Sequence, residues 1–303
     1  MIPDHKVTEI YFIIDEFFKE FDHVVREHSL PDAKIKKRNR KFTMSRSEVM
    51  TILILFHSGA FKNLKGFYVF YVQKHMQRDF PNTVSYNRFV ELQREVCVPL
   101  AVFVKMMCLG KCTGISFIDS TPLRSCHIKR EKQHRTFKGV AQKGQCSIGW
   151  FYGFKLHLII NDRGEILDFI LTPGNVDDRE PLKNMELHKR VFGKLFGDKG
   201  YISKDLFEQL FVDGVHLVTK LRKNMKNALM LLHDRIMLRK RALIESVNDE
   251  LKNMCQIEHT RHRCFDNFIV NILSALAAYS FFDKKPSINT RNDIVEMDKF
   301  TVA

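Results

Sequence analysis

The chain has 303 residues, and its 49 Lys and Arg outnumber 35 Asp and Glu, for a formal net charge of +14. A 45% hydrophobic content supports a core of about two domains and excludes wholesale disorder, while 14 Gly and 8 Pro exclude collagen-like and Pro-rich fibres. The excess positive charge favours a polyanionic partner, either nucleic acid or an anionic membrane surface.

Residues 1–110 are predicted helical. Tyr11, Phe12, Ile14, Phe17, Phe18 and Phe21 recur at helical spacing. Asp4, Glu9, Asp15 and Glu16 interrupt that stretch, so it does not read as a signal peptide. A basic run, KIKKRNRK, follows at 34–41. Ser45-Arg46-Ser47-Glu48 has capping-box spacing and opens a helix through His57, ended by Gly59. A second helix is expected over 64–75, and Ser85 caps a third carrying Tyr86, Arg88, Phe89 and Leu92. Short helices with interposed basic residues resemble a helix-turn-helix DNA-binding region, although a plain helical bundle with solvated cations has the same pattern.

From residue 113 the pattern turns to strands. Ile115–Asp119 is apolar and ends on a carboxylate. A basic loop is expected over 120–150. Residues 153–160 alternate as a strand, Asp162-Arg163-Gly164 turns it, and 166–171 pairs back as a hairpin. A helix is expected at 180–192, a strand at 194–198 ending on Asp198, a helix at 203–212 and a strand at 215–219. A long amphipathic helix is expected over 226–254, with a last apolar helix, 267–282, closing the core. That last stretch carries Asn271 and Ser274 and is short of a membrane span, which favours nucleic acid over lipid. The order suits a mixed α/β sheet covered on both faces.

Three carboxylates stand out by position: Asp119 and Asp198 at strand ends, and Glu245 on the long helix. Such oxygen ligands suit hard cations, Mg²⁺ or Mn²⁺, and a pair of them would serve in-line phosphodiester displacement. Arg241 and Lys252 lie four before and seven after Glu245, on one helical face. An ordinary exposed ion-paired face has the same spacing.

FIDST (117–121), GDKGY (197–201) and Arg241-x₃-Glu245-x₆-Lys252 resemble the three acidic motifs of bacterial insertion-sequence transposases of the Asp-Asp-Glu class. GWFYGFKLHLIIN (149–161), TPGNVDD (172–178) and HTRHR (259–263) resemble one subgroup, the nine-eight-two insertion-sequence family. Leu238 departs from the Tyr that opens the third motif. The resemblance implies an RNase H-like mixed five-stranded sheet over 111–285, preceded by a helical DNA-binding region (1–110) and followed by a tail (286–303). It implies Asp119, Asp198 and Glu245 as ligands of Mg²⁺ or Mn²⁺, two per site. It implies cleavage at terminal inverted repeats, 3′-hydroxyl strand transfer into target DNA, and a homodimer or higher assembly when the ends are synapsed. The setting implied is a bacterial cytoplasm, and the alternative is a transposase-derived DNA-binding regulator without chemistry. The 46 residues between Asp198 and Glu245 leave no room for a large inserted domain.

Candidate DNA-contacting cations are Arg241, Lys252, Lys129, Arg130, Arg135, Lys138, Lys155, Lys223, Arg261 and Arg263. His157 is equally a core histidine or a functional one, and Trp150 equally a core anchor or a stacking platform. Asp177 and Asp178 follow a Pro-Gly turn as helix caps or rival acidic ligands. Cys255, His259, His262 and Cys264 are too compressed for ordinary zinc-finger spacing. The seven cysteines are irregularly spaced and read as reduced cytosolic thiols. Tyrosine-recombinase chemistry through His127 and Arg130 lacks a convincing downstream Tyr, and Gly139-x₄-Gly144 lacks the Lys-Ser/Thr of a phosphate-binding loop.

Overall fold

The computed structural model describes residues 2–28, 43–59, 61–147, 149–220, 230–258 and 262–288. The basic run 34–41, Lys223, His259, Arg261 and most of the expected tail lie outside them. The chain divides into two compact units. One comprises Met1–Cys108 with Leu251–Phe281, the other Leu109–Glu250 with Phe282–Ala303.

The first unit is helical. Helix Asp4–His28 buries Val7, Ile10, Ile14, Phe17 and Phe18, the stripe its periodicity predicts. The capping box is formed: the Glu48 amide donates to Ser45 Oγ, and the Ser45 amide donates to Glu48 Oε2 at 2.6 Å. This starts helix Arg46–Ser58, and Gly59 ends it. Such a cap contributes about 1 kcal/mol. Residues 64–75 are helical but contain a π-helical stretch, Phe67–Val72. Ser85 caps helix Tyr86–Glu95 as expected. Helix Phe265–Ser280 belongs to this unit, packed on Arg46–Ser58 and Cys97–Phe103. Its apolar face closes the core of this unit.

The second unit is built on one sheet. Its strands are β1 (Ile115–Cys126), β2 (Gln142–Cys146), β3 (Gly149–Asn161), β4 (Ile166–Pro173), β5 (Gly193–Gly197) and β6 (Val215–Thr219). β3 is antiparallel to both β4 and β1, and β5 and β6 run parallel to β1. The resulting order β4-β3-β1-β5-β6 is the expected RNase H-like mixed sheet, with helices flanking it. β2 is a sixth strand, paired with the start of β3.

Three local expectations are corrected. The loop placed at 120–150 is shorter, because β1 continues to Cys126 against β3 and β2 forms within the rest. The helix placed at 180–192 spans only Glu180–Lys183, and Glu186 then takes a left-handed φ of 55° that no helix continues through. The helix placed at 226–254 begins outside the described residues and is interrupted within them. Leu232–Lys240 and Ala242–Asp249 meet at a tight turn on Arg241, whose carbonyl accepts from the Ile244 amide, and Glu250–Met254 is π-helical.

On one face of the sheet Ile118, Ile159 and Leu195 pack with Leu206 and Leu210 of helix Lys204–Val212, and with Tyr201. On the other face the Phe117 and Phe196 rings lie 5.6 Å apart. There Lys194 of β5 pairs with buried Asp234 at 2.5 Å, tying helix Leu232–Lys240 to the sheet.

Candidate active site

The parallel pairing of β1 and β5 sets the first two carboxylates. Phe117–Phe196 is the last pair of the two strands, and Asp119 and Asp198 each follow two residues later, close enough for the charge of Asp198 to act on Asp119. Adjacent strands are about 4.8 Å apart, and register mates project from the same face. Asp198 remains extended past the end of β5, and its Oδ1 accepts from the Gly200 amide at 2.8 Å.

The glutamate helix supplies the rest. Ala242–Asp249 packs against β1. Arg241 Nη1 lies 3.5 Å from Asp119 Oδ1, and Arg241 Nη2 donates to Glu245 Oε1 at 2.8 Å. Asn248 Nδ2 donates to Asp119 Oδ2 at 3.2 Å. Arg241 and Asn248 are seven residues apart, two turns along one face, and hold the two oxygens of Asp119 from either side. Asn248 was not singled out in the sequence. Its signal was an amide at a buried helix position beside Ile244 and Val247.

Electrostatics single out Asp119. Burial pushes its carboxyl up to about 6; the Arg241 guanidinium pulls it down, and the charges of Asp198 and Glu245 push it up again. Tyr201 lies within the same field. It is fully buried, its hydroxyl has no hydrogen-bond partner, and burial reinforced by Asp119, Asp178 and Asp198 raises its pKa strongly. Asp178 Oδ1 accepts from Ser120 Oγ and Lys155 Nζ, both at 2.9 Å, while Asp177 is taken by Arg179.

Among the described residues, no set of three or more His, Cys, Asp or Glu side chains is arranged to hold a metal ion. Arg241 reaches both Asp119 and Glu245 and pairs with these two carboxylates. The donor chemistry nonetheless fits a hard divalent cation. The groups are all carboxylate oxygens, and Asp119 is partly buried under repulsion from its two neighbours, a situation that added positive charge relieves.

The expected DNA-contacting cations divide. Lys129 and Arg130, on the 3₁₀ turn Ile128–Gln133, are exposed, as are Arg135, Lys138 and Arg263. Lys155, expected at a phosphate-contacting surface, is buried and engaged by Asp178 and the Val176 carbonyl. Lys252 pairs with Glu258 at 3.8 Å. His157 is a core histidine: fully buried, with Nε2 2.9 Å from Thr172 Oγ1. Trp150 is 57% exposed, with Lys143 Nζ 4.9 Å from its ring, so it does not anchor the core. All seven cysteines are free thiols. No helix among the described residues is long and apolar enough to cross a membrane.

The sheet order and the acidic face beneath the glutamate helix define an RNase H-like catalytic unit. The model of the family described as "Transposase DDE domain" matches residues 109–265, just over half of the chain. The chain therefore belongs to the DDE transposase family, the Asp-Asp-Glu class that its motifs resembled. A comparison with curated protein sequences finds no match. Among solved structures the chain is similar to a piggyBac transposase synaptic complex with hairpin DNA, with a TM-score of 0.45 and 12% identity over 99% of this chain and 80% of that one. It also matches the Mos1 strand transfer complex, with a TM-score of 0.24 and 10% identity over 92% of this chain and 96% of that one. The family assignment rests on the match to residues 109–265.

Proposed function

We propose that this transposase cuts DNA at the terminal inverted repeats of a mobile element and joins the freed 3′-hydroxyl to a target strand. The single observation that carries the reading is the environment of Asp119: partly buried, under the charges of Asp198 and Glu245, and flanked by Arg241 and Asn248. Asp119, Asp198 and Glu245 would hold Mg²⁺ or Mn²⁺, one or two ions. When bound, these supply Lewis-acid stabilisation of the phosphoryl group under attack.

The chain's own residues do the positioning. Asn248 fixes the carboxylate plane of Asp119. Arg241 is placed to exchange its carboxylate partners for a DNA phosphate. Exposed Lys129, Arg130, Arg135 and Lys138 line the segment between β1 and β2 and offer backbone-phosphate contacts close in sequence to the acidic strand. Arg263 offers the same from the helical unit. The net charge of +14 supports DNA as the partner of both units. Joining two ends implies at least a homodimer when synapsed. The nine-eight-two subgroup and a bacterial cytoplasmic setting are the finer assignment that the motifs support.

Strand cleavage of a labelled duplex bearing the element's own end tests this. We expect nicking with Mg²⁺ and none with EDTA. Glu245→Gln is expected to lower the rate by at least about 10²-fold, the scale for losing one charge-stabilising group. Undiminished nicking by the Gln variant would remove Glu245 from the site. Tight binding without nicking by the native chain would favour the inactive-regulator reading instead.

A further inference from the structure

The helical unit contains a cavity of about 630 Å³ that the reading above does not use. Its size falls in the range that encloses ligands of nucleotide size. Lys62, Lys65 and Arg263 line it, and all three are exposed. Among the described residues no Asp or Glu contributes to its lining. A second cavity, beside His188, mixes Lys183 and Lys189 with Glu186 and Asp213, whereas the charge lining this one is all positive.

Its remaining walls carry recognition chemistry of a second kind. Tyr86 presents a half-buried ring with Lys65 Nζ 6.0 Å from its centroid, and Arg263 acts on its phenol. Gln93 and Asn267 are 4% and 8% exposed and belong to the same wall. Gln93 Nε2 has no hydrogen-bond partner, and neither does Asn267 Oδ1, although Asn267 Nδ2 is used on the Val90 carbonyl. A buried donor and a buried acceptor left unpaired in one wall are costly in an isolated protein. A shift of either side chain towards the cavity would offer these atoms to the edge of a nucleobase, which carries acceptor and donor side by side.

We infer that this cavity binds a nucleotide unit, with its phosphate on Lys62, Lys65 and Arg263, its base against Tyr86, and the base edge read by Gln93 and Asn267. A nucleotide of DNA lying outside the double helix and a free nucleotide share that chemistry. The DNA source rests on the proposed function; the cavity chemistry does not.

The test uses the full chain and fluorescence anisotropy. One labelled duplex is fully paired, and the other carries a single unpaired central nucleotide. Deoxyadenosine and deoxycytidine monophosphates are titrated separately by calorimetry. We expect the bulged duplex to bind about tenfold more tightly than the paired one, the scale of one base–aromatic stack. Tyr86→Leu and Gln93→Leu should bring that ratio close to one. Lys65→Ala should weaken both duplexes and lower the salt slope by about one. Thermal unfolding of each variant identifies any that fails to fold, and the native-chain ratio needs no variant at all. Saturable mononucleotide binding that Gln93→Leu abolishes, without a bulge preference, supports the cavity and assigns it to a free nucleotide. Equal affinity for the two duplexes together with no mononucleotide binding overturns the cavity assignment and leaves DNA binding standing. Failure to bind either duplex, with mononucleotide still bound, overturns the DNA reading and keeps the cavity.

Discussion

Asp119 and Asp198 each lie two residues beyond the Phe117–Phe196 pair of the parallel strands β1 and β5, and the charge of Asp198 acts on Asp119. The two aspartates are 79 positions apart along the chain, so this adjacency is a product of strand pairing alone. The glutamate helix then lies over the same face and reaches Asp119 from both sides through Arg241 and Asn248.

Asn248 is expected to act as a positioning residue for Asp119. Asn248→Ala should lower Mn²⁺ affinity about 10–100-fold, the scale for losing a partner that orients a ligand. The fold should persist, since one hydrogen bond costs about 1–2 kcal/mol. Calorimetric titration of Mn²⁺ against the native chain and the variant measures it, and unchanged affinity would leave Asn248 a packing residue only.

Arg241 balances two carboxylates while its side chain is only 21% exposed. Arg241→Met should therefore destabilise the chain by about 1–3 kcal/mol, below the range for a fully buried pair. Adding Asp119→Asn should recover part of that loss, because the isolated charge goes with it. Urea unfolding of the two single variants and the double variant gives the coupling. Strictly additive effects would show that the 3.5 Å contact contributes nothing.

Acid should weaken the protein through its buried histidines. Burial lowers His57, His157 and His262 to about 4 from an ordinary value of 6.5. Between those values the unfolded chain takes up protons that the folded chain refuses, so stability falls as pH drops from about 6.5 towards 4. A tenfold weaker proton affinity corresponds to about 1.4 kcal/mol, so each histidine accounts for at most about 3 kcal/mol of that loss. His157→Gln should flatten its share of the slope in urea unfolding followed from about pH 7.5 to 4.5. An unchanged slope would mean that His157 titrates in the fold as it does in the unfolded chain.

Gly153 sits where β1, β2 and β3 meet, paired with Arg124 and with Gln142. A Cβ at this position would lie 2.1 Å from the Leu123 carbonyl oxygen, which is backbone and cannot swing aside. Gly153→Ala should cost about 3 kcal/mol or more, or prevent folding. Thermal unfolding decides it, and a loss below about 1 kcal/mol would show that the strands can separate to admit a methyl group.

The local elements were legible because their causes are local. Ser45 and Glu48 are three residues apart and make the same cap in any setting. The alternation of 153–160 and the Asp162-Arg163-Gly164 turn determine a hairpin through neighbours within a few residues. The acidic positions were legible for the same reason, since an apolar run ending on Asp is visible without knowing its partner. What ends a helix by tertiary contact was not. The turn at Arg241 contains no Pro or Gly, and its side chain is engaged by carboxylates that only the folded chain brings there.

By itself, then, the sequence determined five of the six strands and the caps, the positions of Asp119, Asp198 and Glu245, and the motifs by which the chain resembles its family. Only the tertiary structure decided that β1 and β5 pair in parallel through Phe117 and Phe196, just before the two aspartates. It alone showed that Asn248 and Arg241 grip Asp119, that Lys155 turns inward to Asp178, and that helix Phe265–Ser280 packs with the N-terminal helices. The physical reason is range. Caps and periodicity are set within about one or two turns of chain, whereas strand register and the choice of partner for a helix apolar on nearly every side are set by surfaces far away along the chain.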